Sequence, residues 1–145
     1  MASPDLIYIG IFLDPMDTKR LLRTFGQAHP EVQAHHMTLW HYNEGIPPNL
    51  DLPWGKTITL KVIGHTENDQ VQVAVIEPPA AFRPPGRTPH VTISVAPGVS
   101  AKLSNDLLES WEPDTNLPGL PTVRGKIGWM DSKKKVHFDA PPASP

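Results

Sequence analysis

The chain of 145 residues, 39% hydrophobic and 19% charged, has the size and balance of one domain built on a single core. Its 18 prolines exclude a long-helix bundle, and the lack of cysteine excludes disulfides, thiolate nucleophiles and Cys-type zinc sites. With 13 basic and 15 acidic side chains the formal charge is -2, which excludes an overall positive field able to hold a nucleic-acid duplex or an anionic membrane.

Taken in chain order, the apolar run Leu6–Leu13 is too short for a membrane span or a signal peptide and reads as a strand. Asp14 as N-cap, Pro15 at the first helical position, Asp17 in the first turn and Gly26 just past the end predict a helix over 15–25. Period-two alternation predicts strands at 34–42, 57–63, 71–76, 88–95, 123–130 and 135–138. Ser100 caps a second helix in which Leu103, Leu107 and Trp111 recur on one face before Pro113 stops it. Residues 5–139 are thus expected to form one α+β domain with few helices, followed by a Pro-rich tail over 140–145. A soluble, cytoplasmic or nuclear monomer without membrane attachment is expected.

One short unit occurs twice. His36-Met37-Thr38-Leu39 and His90-Val91-Thr92-Ile93 each place histidine and threonine at alternate strand positions, so that both project from one face while the apolar residues between them enter the core. If the two strands are neighbours, two imidazoles and two hydroxyls converge on one cleft. That set suits phosphodiester chemistry. A neutral imidazole takes a proton from water, a charged one donates to the leaving oxygen, and the hydroxyls donate hydrogen bonds to the phosphate. Two such units arise by chance in on the order of one sequence in a hundred of this length, which favours function over coincidence.

The paired units resemble the signature of the 2H phosphoesterase superfamily, in particular the catalytic domain of 2′,3′-cyclic-nucleotide 3′-phosphodiesterases and the cyclic phosphodiesterase domain of tRNA ligases. The similarity extends over Tyr8-Ile-Gly-Ile-Phe12, both motifs, the Arg83-Pro-Pro-Gly-Arg87-Thr88-Pro-His90 run, the helix near Leu103–Leu108 and Gly125-Lys-Ile127. The resemblance implies two antiparallel lobes related by pseudo-twofold symmetry around a central cleft. It also implies hydrolysis of 2′,3′-cyclic phosphates of nucleotides or RNA 3′ ends to 2′-phosphates, with no metal and no cofactor. His36 and His90 would be catalytic, His36 protonating the departing 3′ oxygen and His90 activating water, with Thr38 and Thr92 binding phosphate. Action on 2′-5′ linkages or cyclic oligonucleotides, and a non-catalytic phosphate- or RNA-end-binding module, are the other readings of the same four residues.

Further substrate contacts are expected from Trp40 and Tyr42, which share the parity of the first motif, from Phe82, and from Arg83 and Arg87 before the second. Thr88 and Ser94 share the parity of His90 and Thr92 and extend the polar wall. His35 and His41 fall on the opposite parity, and His29, His65 and His137 are expected to face solvent. The Lys133–Lys135 tip reads as a solvated turn or an RNA-backbone contact.

Overall fold

The computed structural model describes residues 6–41, 52–82, 88–100, 103–109 and 120–139. Tyr42, Arg83, Arg87, Trp111 and the 140–145 tail therefore lie outside the described residues. In chain order the elements are β1 (Leu6–Leu13), α1 (Pro15–Phe25), β2 (Glu31–Val32), β3 (His36–His41), β4 (Thr57–Glu67), β5 (Val71–Glu77), a 3₁₀ turn (Ala80–Phe82), β6 (His90–Val95), α2 (Leu103–Leu108), β7 (Thr122–Asp131) and β8 (Val136–His137). The sequence-predicted bounds of β1 and α1 coincide with these. Strand β4 runs four residues beyond its predicted end at Ile63 and, past a one-residue bulge between Val62 and Gly64, stays paired to β5 up to Glu67↔Gln72.

Six strands close on themselves in the order β1-β3-β6-β5-β4-β7, with β7 pairing back to β1 and every pairing antiparallel. The result is a six-strand antiparallel barrel with two α-helices among the described residues, an α+β fold. Closure leaves none of the six with two free edges. The barrel interior holds Ile11, Met37, Ile58, Leu60, Val62, Ala74, Ile76, Val91, Ile93, Val123 and Ile127, all buried. Each such aliphatic side chain contributes about 1.5–3 kcal/mol on leaving water.

Helix α1 adds Leu21 to this core and anchors to β7 through buried Asp17, whose Oδ2 accepts the Arg124 backbone N–H at 2.6 Å. Asp14 stands at the N-cap, but its backbone carbonyl, not its side chain, takes the Asp17 and Thr18 N–H groups. Strand β5 is buried on both faces, since Ala74 and Ile76 point into the barrel while Val71, Val73 and Val75 form a second cluster outside it. Leu103, Leu107 and Leu108 of α2 cover that outer cluster, which is why the two-sided run shows no alternation in burial.

Candidate functional site

The outer face of the barrel carries both histidine–threonine units. Strands β3 and β6 share one ladder pair, Met37↔Val91, the apolar residues at the centre of each motif, and both side chains enter the core. Antiparallel continuation of that register sets His36 across from Thr92 and Thr38 across from His90. The four polar side chains therefore stand together on the outside, each imidazole diagonal to the other.

Both strands bulge at the fourth residue of their motif. Ile9 pairs Trp40 and Gly10 pairs Thr38, leaving Leu39 extra; Gln72 pairs Ser94 and Val73 pairs Thr92, leaving Ile93 extra. Each bulge reverses the side-chain parity that follows it. Trp40, expected beside His36 and Thr38, is consequently buried with Ile9 and Trp129, and does not offer a stacking surface. His41, expected on the opposite face, instead lies parallel to the Tyr8 ring at 6.5 Å on the same side as His36. Ser94 turns away from Thr92. It is buried and donates to Gln72 Oε1 at 2.6 Å, and its hydroxyl accepts the His29 N–H.

His36 has a crowded environment. Its ring stacks on Tyr8 at 4.7 Å, meets Phe12 at 5.7 Å and lies over Gly10. Burial, followed by the charges of His35 and His90, lowers its pKa from 6.5 to about 4. His36 is therefore neutral at pH 7, and its response to His90 reflects the proximity of the two rings. The Tyr8 phenol, half-buried in the same stack, is pushed up to about 12 by desolvation and stays protonated. Gly10 is required here because a Cβ would stand 2.9 Å from the Met37 carbonyl oxygen.

On the β6 side, His90 Nδ1–H donates to the Thr88 carbonyl at 2.8 Å, which in the neutral ring places the lone pair on Nε2. Thr88 thus holds the His90 ring through its backbone carbonyl. The Thr92 hydroxyl lies 2.8 Å from the hydroxyl of Ser104, a fully buried residue of α2. Ser104 carries no motif signal and lies between the apolar positions of a helix, so its approach to Thr92 was not legible in the sequence.

Phe82 is half-buried against the barrel core. His65 and His137, expected to face solvent, are both partnered. His65 stacks on Phe25 at 4.5 Å and meets Gln72 Nε2 at 3.1 Å, and desolvation lowers its pKa. His137 stacks on Trp129 at 4.2 Å and contacts Asp131 Oδ2 at 2.7 Å, and that contact, first among several hydrogen bonds, lowers the Asp131 pKa. His29 Nε2 lies 2.9 Å from the Asn68 carbonyl. Among the described residues no group of three or more His, Asp or Glu is disposed to hold a metal ion. Nor is any helix among them long and apolar enough to cross a membrane.

No protein-family model and no curated protein matches the sequence. Among solved structures the chain is similar to one described as the crystal structure of a fungal RNA kinase, with a TM-score of 0.53 and 15% identity over 87% of this chain. The chain spans 42% of that protein's length. The likeness is one of fold.

Proposed function

We propose that this protein hydrolyses 2′,3′-cyclic phosphates at nucleotide or RNA 3′ ends to 2′-phosphates through the His36 and His90 pair, without a metal, and that its barrel is a two-lobed 2H phosphoesterase fold. The observation that carries the reading is the antiparallel apposition of two histidine–threonine units, each bulged at its fourth residue. The two motif strands meet at the β3–β6 junction, flanked by β1 on one side and β5 on the other, an arrangement that supports the two-lobed reading. The likeness to a fungal RNA kinase supports RNA as the substrate class.

In this mechanism the hydroxyls of Thr38 and Thr92 donate to the non-bridging phosphate oxygens, and Ser104 keeps the Thr92 hydroxyl in place. His90 Nε2 takes a proton from water as its oxygen bonds to phosphorus. The bond from phosphorus to the 3′ oxygen breaks, and protonated His36 donates to that oxygen, giving a 2′-phosphate and a free 3′ hydroxyl. The neutral His36 of the free protein acquires its proton when the anionic phosphate arrives. A unit charge about 4 Å away is worth about 4 kcal/mol at an effective dielectric constant of about 20, or about three pKa units, enough to offset the depression in the free protein.

Product analysis by phosphorus NMR after incubation with 2′,3′-cyclic nucleotides and a chelator tests the proposal. A 2′-phosphate is expected as the sole product. A 3′-phosphate, or turnover lost in chelator and restored by a divalent ion, overturns it.

A further inference from the structure

The β7–β8 hairpin is not needed for the proton transfers, yet it sits beside them. Across the outer face, Phe12 pairs Lys126 and Gly10 pairs Gly128, while on the other edge of β1 the same two residues pair His36 and Thr38. The row Thr38, Gly10, Gly128 therefore leads from the site to β7, two strand spacings or about 10 Å away, with the His36 ring over Gly10 and the His137 carbonyl over Gly128. The Phe138 ring covers Gly128, approaching within 3.0 Å of where a Cβ would stand, and meets Phe12 edge-on at 6.1 Å. It remains 43% exposed, whereas Phe12 is buried. Farther along the hairpin, the exposed Lys133, Lys134 and Lys135 form the turn, about 17 Å beyond the exposed Lys126 at the strand rise of about 3.4 Å per residue. Asp131 beside that turn accepts from His137 and from the Lys133 and Lys135 N–H groups, which holds its carboxylate against the hairpin. On the opposite side, α2 roofs the strand next to β6.

We propose that the β7–β8 hairpin is a binding arm for the single-stranded RNA that leads to the reacting 3′ end, with Phe138 stacking one base and Lys126 and Lys133–Lys135 taking backbone phosphates. The proposal deepens the functional reading above by naming an oligonucleotide, in preference to a mononucleotide, as the ligand of that site. An aromatic platform followed by spaced cations is the chemistry that tracks single strands, because every unpaired base offers a π-face and every linkage a charge. A duplex hides its base faces and is not a suitable ligand.

The test is fluorescence anisotropy with a 5′-fluorescein-labelled oligoribonucleotide ending in a 2′-phosphate, with the corresponding mononucleotide as competitor. The parent is expected to bind the oligonucleotide more tightly than the mononucleotide. Phe138→Ala is expected to narrow that ratio by about tenfold and Phe138→Trp to preserve it. Replacing the tip as Lys133→Ser, Lys134→Asn and Lys135→Ser, with Asn chosen for the left-handed backbone at position 134, is expected to weaken binding and to reduce the log–log salt slope by up to about 2. Unchanged affinity and slope in both variants, or equal binding of a fully paired duplex, overturns the proposal. Anisotropy reads binding and not turnover, so a parent that opens no cyclic phosphate refutes the proposed reaction alone. Hydrolysis by a parent whose hairpin variants bind normally refutes the arm alone.

Discussion

The charge state of His36 is the most exacting test of the site. Stacking against Tyr8 and Phe12 and the neighbouring His35 and His90 charges place its pKa near 4, about 2.5 units under its ordinary value. At 1.36 kcal/mol per unit this amounts to about 3 kcal/mol of resistance to protonation. The unfolded chain takes up this proton near pH 6.5 and the folded chain only near 4, so stability falls as the pH drops through that window and the whole difference is lost below about 4. A bound phosphate opposes that resistance by about 4 kcal/mol for a unit charge about 4 Å away at an effective dielectric constant of about 20, which moves the pKa back up. Imidazole NMR titration of the free protein and of its complex with a 2′-nucleotide reads both values. The expected results are about 4 free and a clearly higher value bound, with net proton uptake when the nucleotide binds. A free value near 6.5 refutes the burial argument. A bound value still near 4 exchanges the two histidine roles, leaving His36 as the base and His90 as the acid.

Replacing either imidazole, as His36→Ala or His90→Ala, is expected to lower kcat by about 10²–10⁴ on 2′,3′-cyclic nucleotides, while exposed His35→Ala stays within a few-fold of the parent in the same assay. Ser104→Ala removes the partner of the Thr92 hydroxyl and is expected to raise KM by about two- to tenfold, the worth of one hydrogen bond, with Ser104→Thr a partial rescue. Gly10→Ala forces a methyl group against the Met37 carbonyl, and a loss of about 1–3 kcal/mol is expected from urea unfolding. Asp17→Ala strips the buried acceptor from the Arg124 N–H and is expected to cost about 1.5–3 kcal/mol by the same measurement, with little effect on KM.

Within each motif, local pattern was a sufficient guide. Alternation over three residues placed His36 and Thr38, and His90 and Thr92, outside the barrel, and Met37 and Val91 inside it. Beyond the motif it failed on both strands for one reason. A bulge depends on where the partner strand's hydrogen bonds fall, and neither Leu39 nor Ile93 differs in type from the apolar residue a regular strand has at that place. Trp40 and Ser94 were thereby assigned to the wrong face, and so was His41. A control substitution at His41 is unsuitable on this account, since its ring stacks on the same Tyr8 that supports His36.

Residue type and spacing alone determined the helix over 15–25, through Pro15 and Gly26, and the strand periodicity, because φ restriction and side-chain alternation act within a few residues of chain. Barrel closure by the β1–β7 pairing, the meeting of two motifs 54 positions apart, the approach of Ser104 to Thr92 and the low pKa of His36 were decided by tertiary structure. Each depends on groups far apart in the chain whose separation is set by packing. Desolvation and hydrogen bonding act only once those groups have been brought together.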